Sequence, residues 1–244
     1  MTLNRSAASS RTLLIAAATT TLVVLAPNAF AQKAKPKTPP KKSTVGTLGT
    51  AQAKGGEGRF GTTYTIANSG GYMYNITIAS AEYTVARHNL NKGVYVVPKE
   101  GEKLLLLHLL IQNPKPDDLY VGASSITFST VAADNKTRDE CSTLRRVSAK
   151  EELADTLKPG QKFPEEVLVA CTVPATGPVP KLILNMGRKG TNEEVVRYFL
   201  GRAPNIIKPL PAPYADPADP SGATAFAETP AKIGTAYATG LYDF

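Results

Sequence analysis

Between Arg59 and Arg202 the chain is a succession of short β-branched and alternating apolar runs, each closed by turn-forming residues. A half-buried strand repeats every two residues and a helix about every 3.6, so this pattern restricts the fold more than any other feature. Arg59–Ala67 is the first run, closed by Asn68-Ser69-Gly70-Gly71. Tyr72–Ala86 follows, with Tyr74, Ile76 and Ile78 alternating against Asn75 and Thr77. Val94–Val97 stops at Pro98, and the strongly apolar Lys103–Gln112 stops at Asn113-Pro114. Ser125–Ala132 runs into the turn at Asp134-Asn135, and Lys158-Pro159-Gly160 precedes Phe163–Val173. Lys181–Met186 and Glu194–Leu200 complete the set, and only Ser148–Ala154 has a helical look. Seven or eight such strands predict an all-β, antiparallel β-sandwich over residues 59–202.

Four segments, in this order and spacing, also resemble a known family. They are the strand from Gly101 to Asn113, the run Ser125-Ile-Thr-Phe, the turn Leu157-Lys-Pro-Gly160, and Lys181-Leu-Ile-Leu. Together they look like an immunoglobulin-like domain family of unknown function found in exported bacterial envelope proteins and lipoproteins. The resemblance covers about Tyr72 to Leu200 and implies an immunoglobulin-like sandwich. It supplies no catalytic residues, and the two cysteines of this chain map to no feature of the family.

The ends read differently. Arg5 and Arg11 precede an uncharged apolar run, Leu13–Ala26, and Ala29-Phe30-Ala31 offers the small-x-small pattern of a cleavage site. Residues 1–31 are therefore expected to be a signal peptide cut before Gln32. The run would rise about 21 Å as a helix, short of a hydrocarbon core of about 30 Å. The mature chain is accordingly expected to be secreted or periplasmic, with no transmembrane segment. Residues 32–58, first Lys/Pro-rich and then Gly-rich, and the Pro-rich residues 203–231 read as disordered linkers. Arg59-Phe-Gly-Thr-Thr-Tyr64 is echoed by Lys232-Ile-Gly-Thr-Ala-Tyr237, so residues 232–244 could be the orphan strand of a second repeat. Such a strand needs a sheet edge, its own or a neighbour's, and makes self-association possible.

The formal charge is +8, but from Ser43 onward 21 basic residues face 20 acidic ones. The folded part is thus nearly neutral, and no nucleic-acid partner is expected. In an exported chain Cys141 and Cys171 are expected to pair, the only connectivity two cysteines allow. No cofactor motif is present. Asp134, Asn135, Asp139 and Glu140 are the best metal candidates, but calcium takes about six to eight oxygens, and a plain β-turn explains the same residues. Tyr64, Tyr72, Tyr74, Tyr83 and Tyr95 could form a carbohydrate platform, although tyrosines at alternating strand positions commonly pack in a core. With Leu105, Leu107, Leu109 and Ile111 inward, Leu106, His108 and Leu110 would form an outward strip that a neighbouring element or a partner should cover. These features suggest a non-enzymatic exported binding or adhesion module whose partner is a protein or envelope component. The alternative is a periplasmic carrier of a small ligand or a metal.

Overall fold

The computed structural model describes residues 47–51, 57–91, 94–148, 152–186, 195–202 and 206–227. The expected signal peptide, the Lys/Pro segment and the echo in Lys232–Phe244 lie outside the described residues. Alternation produces the expected architecture, a β-sandwich whose named strands pair antiparallel throughout. One sheet has the order β1 (Thr63–Ala67), β2 (Met73–Thr84), β5 (Glu102–Gln112), β11 (Val167–Pro174) and β9 (Arg145–Arg146). The other has the order β13 (Val195–Tyr198), β12 (Lys181–Asn185), β7 (Thr127–Val131) and β8 (Arg138–Glu140). Two smaller pairs complete it: β6 (Leu119–Gly122) with β10 (Ala154–Leu157), and β3 (His88–Asn91) with β4 (Val94–Val96). No helix of the described residues is long and apolar enough to cross a membrane.

The strand count exceeds the seven or eight expected. Thirteen are found among the described residues. The additional ones, β3, β6, β8, β9 and β10, have two to four residues each, too few to show a period. The helical look of Ser148–Ala154 also fails: its described part contains the turn at Ser148, and Ala154 opens β10.

One face of each main sheet fills the core. From β5 the alternate residues Leu105, Leu107, Leu109 and Ile111 turn inward to meet Tyr74, Ile76, Phe128 and Leu182. The register of β2 on β5 shifts between Ile78 and Ser80, which keeps Ile78 inside and returns Ala81 and Tyr83 to the core. The disulfide Cys141–Cys171 forms as expected. It ties β11 in the first sheet to the chain just beyond β8 in the second, where the Cys141 N–H donates to Phe128 O at 3.0 Å. Asn113, fully buried at the end of β5, accounts for two of the sequence motifs together. Its side-chain Nδ2 donates to Leu157 O (2.9 Å) and Asp117 O (2.8 Å), while its backbone carbonyl accepts the Gly160 N–H (3.0 Å). The strand-ending Asn and the Leu-x-Pro-Gly turn are therefore one hydrogen-bonded joint.

Where the chain is described, parts of both linker segments run along the sheet edges. Exposed strand edges invite pairing with other chains, and here segments outside the strands cover them. Thr50 lies along β1, its N–H donating to Thr63 O (2.7 Å) while its own carbonyl accepts the Thr65 N–H (3.3 Å). Gly58 donates to Arg197 O on β13 (2.6 Å). Residues 206–227 form a strap rather than an extended tether. Strand β2 outlasts β1, and Lys208 pairs with the remaining edge: Lys208 N–H to Ala81 O (2.8 Å) and Tyr83 N–H to Lys208 O (3.0 Å). Ile207, Leu210, Ala223 and Ala225 are buried in the main core. Prolines exclude an interior strand, but they do not prevent a Pro-rich segment from packing along an edge with apolar residues set between them.

Candidate binding site

On the outward face of the first sheet the expected strip is covered at one end and open at the other. Leu106 is only 6% exposed, because Leu104, Leu106, Leu168 and Ala170 form a second small apolar cluster capped by Val96 of β4. The hairpin β3–β4 is thus the cover that the apolar outward residues require. Leu110, 44% exposed, is left alone beyond it. Between them His108 stands among ions: Nδ1 lies 3.0 Å from Glu166 Oε2, and Nε2 lies 3.8 Å from Glu82 Oε1. Lys208 of the strap adds a contact to Glu82 at 3.2 Å. The two carboxylates approach opposite nitrogens of the ring, so the trio cannot converge on one metal ion. Ser80 is the cross-strand partner of His108, yet no hydrogen bond joins the two side chains.

The turn offered as a metal site is a structural turn. Asp134 Oδ1 accepts the N–H groups of Lys136 (2.8 Å) and Thr137 (2.9 Å), and Oδ2 accepts the Thr137 hydroxyl (2.6 Å). Those bonds hold its carboxyl below the usual carboxylate range. Asn135 adopts φ 60°, a left-handed conformation that Asn tolerates, and receives the Lys181 ammonium. Asp139 and Glu140 sit exposed on β8. Among the described residues, no three His, Cys, Asp or Glu side chains are grouped to hold a metal ion.

The tyrosines separate into two classes. Tyr64, Tyr74 and Tyr83 are core residues, as the packing reading expects. Tyr72 and Tyr120, by contrast, are 46% and 52% exposed, and they flank a cleft of about 490 Å³ where the β1–β2 turn meets β6 and the start of β10. Both are held in place. The buried Tyr74 hydroxyl donates to Tyr120 O at 2.8 Å, and burial raises the Tyr74 pKa, so the phenol keeps its proton. The Tyr120 ring lies against Gly122, where a Cβ would meet its Cε1 at 2.7 Å; any other residue would displace the ring. Tyr72 is fixed through its N–H, which donates to Asn68 Oδ1 at 3.1 Å. Glu152 on the far wall pairs with Arg145 at 2.9 Å. Arg145 is buried, and its Nε and Nη1 have no hydrogen-bond partner among the described residues. A buried guanidinium thus anchors one oxygen of an exposed carboxylate and leaves the other free at the cleft.

A second cavity, about 590 Å³, lies within the strap between Pro209 and Phe226. Its acids are already engaged. Asp219 accepts the Ser221 hydroxyl (2.6 Å), the Ser221 N–H (2.9 Å) and the Thr224 N–H (2.8 Å), which lower its pKa strongly. Asp216 accepts the Ala218 N–H at 2.8 Å. The tyrosine cleft, flanked by two exposed rings, is the better candidate.

Tyr120 and Arg145 escaped the sequence reading. Leu119-Tyr-Val121 does carry the signal, since alternation puts Tyr120 outward between two inward apolar residues.

No protein-family model and no curated protein matches the chain. Two solved structures are similar to it. One is a Bacillus subtilis protein named as a lipoprotein, 12% identical with a TM-score of 0.33, the match covering 55% of this chain and 38% of that one. The other is an uncharacterized β-sandwich protein of Clostridium difficile 630, 16% identical with a TM-score of 0.35, covering 67% of this chain and 99% of that one.

Proposed function

We propose that this chain is a non-enzymatic, exported binding or adhesion module of the cell envelope, immunoglobulin-like in architecture, which engages its partner at the tyrosine cleft. The observation that carries the reading is a cleft flanked by two exposed tyrosine rings whose backbone is hydrogen-bonded in place. Solvent-facing tyrosines gain little for the fold, yet Tyr120 is held by the Tyr74 hydroxyl and by a glycine that admits its ring. Groups held in place before binding lose less conformational freedom when a ligand arrives. A cleft near 490 Å³ lies within the range of about 300 to 1,000 Å³ common to ligand sites. Export is supported by the signal-like N-terminus and by the Cys141–Cys171 disulfide, which is compatible with an oxidising compartment. The non-enzymatic reading is supported by the partners of His108, which among the described residues are the carboxylates of Glu166 and Glu82 and not a Ser, Thr or Cys nucleophile.

Site-specific photo-crosslinking in intact cells tests the reading. A photoreactive residue at Ser124, on the cleft rim, is expected to yield a discrete adduct with an envelope component, and Tyr72→Ala is expected to abolish it. Adducts no different from those of the same probe at the remote Asp139 would overturn the proposal.

A further inference from the structure

We infer that the ligand of the tyrosine cleft is a neutral saccharide, an inference that rests on the cleft being a binding site. Two features of the cleft select this class. The Tyr72 and Tyr120 rings pair neither with another ring nor with a cation among the described residues, so each has a face free. The C–H face of a pyranose is the complement of such a surface, being apolar in its middle and ringed by hydroxyls. The polar groups lining the cleft are mixed donors and acceptors: the Asn68 amide nitrogen, whose oxygen already accepts the Tyr72 N–H, the Ser124 hydroxyl and the second oxygen of Glu152. Hydroxyl-rich ligands both donate and accept, and this set serves both roles.

The same features weigh against the other ligand classes. No Lys, Arg or His lines the cleft, and Arg145 behind it is already paired with Glu152, so a phosphate, a nucleic acid or an acidic peptide would find no counter-charge in its lining. A peptide added as a further strand to β6 would need free backbone groups there. The Tyr120 carbonyl already accepts the Tyr74 hydroxyl, and the Gly122 N–H donates to the Ser125 hydroxyl at 2.8 Å. Glu152 is held by Arg145, which is enough to orient a carboxylate toward sugar hydroxyls without neutralising both its oxygens.

The test is titration of the isotope-labelled chain with cellotetraose, chitotetraose and maltotetraose, followed by backbone amide shifts. At least one saccharide is expected to cause saturable shifts at Asn68, Tyr72, Tyr120 and Ser124. Tyr72→Ala and Tyr120→Ala are each expected to weaken it about tenfold while the melting temperature stays within a degree or so of wild type. Tyr95→Ala, an exposed tyrosine outside the cleft, is expected to leave the titration unchanged. Absence of shifts at the cleft with all three sugars, or an undiminished titration in both cleft variants, would overturn the saccharide assignment. The crosslinking experiment separates the two failures. Silent sugars with a discrete protein adduct from Ser124 remove the saccharide and leave the binding site standing. Silence in both removes both.

Discussion

Lys103 and Ala223 are hydrogen-bonded in the interior of the protein: the Lys103 ammonium, without solvent exposure, donates to the Ala223 carbonyl of the strap. The same nitrogen donates to Gly177 O (2.6 Å) and Ala175 O (3.1 Å) and lies 4.6 Å from the centre of the Tyr83 ring. All three of its N–H bonds are used, and they join the start of β5, the β11–β12 loop and the strap. Lys103→Met takes the ammonium donor from all three carbonyls, although Ala175 O keeps the Ala225 N–H (2.8 Å), and is expected to cost about 1 to 3 kcal/mol. The loss is expected to begin in the strap, so proteolysis of the variant should cut first within residues 206–227. An unchanged denaturation midpoint would show that the latch contributes nothing.

Burial pushes the Lys103 pKa down to about 8, with the Asp219 charge opposing the shift, against 10.5 in the unfolded chain. Below about pH 8 both states carry the proton, and the cost of burying the charge is fully present. From there to about 10.5 the unfolded state holds more protons, so stability is expected to rise with pH through this group. Denaturant midpoints between pH 7 and 9.5 check it. The rise should be present in the wild type and missing in Lys103→Met.

The docked stretch before β1 makes a second prediction. Gly49 N–H donates to the Thr65 hydroxyl (2.6 Å), and the Asn75 amide donates to Thr47 O (2.6 Å). A chain beginning at Arg59 loses these bonds and uncovers the β1 edge. Its melting temperature is expected to fall by several degrees, at about 2–4 °C for each kcal/mol in a chain of this size. Calorimetry of the two lengths measures the difference.

Cys141→Ala combined with Cys171→Ala removes the covalent tie between the sheets. The loop closed by this disulfide has a sequence separation of 30, for which chain entropy predicts a loss of about 3 to 4 kcal/mol. Equilibrium denaturation of the double variant should show that decrease with a slope close to the wild-type value.

The wall of the cleft offers a fourth prediction. Glu152→Ala leaves the Arg145 guanidinium buried with its last protein partner gone. A loss of about 1 to 3 kcal/mol is expected, and Arg145→Met in the same background should restore part of it. A double-mutant cycle measures the coupling.

Alternation and turn chemistry determined the larger part of this protein by themselves. The long strands β2, β5 and β11 and the disulfide partners follow from residue order, because a two-residue period assigns each side chain to one face whatever lies beyond it. The inward set Leu105 to Ile111, extended two residues back, even places Lys103 on the core side. Tertiary structure decided what covers those faces and edges. Nothing in the spacing of Leu106 and Leu110 reveals that the β3–β4 hairpin caps one and leaves the other bare. Prolines at Pro209, Pro211 and Pro213 suggest a tether until Lys208 meets the open edge of β2 and Lys103 meets Ala223. The cleft has the same origin, for Asn68, Tyr120 and Glu152 lie on three separate segments. Local sequence sets the direction a side chain takes, but which distant segment it meets depends on how the whole chain buries its apolar surface and pairs its backbone.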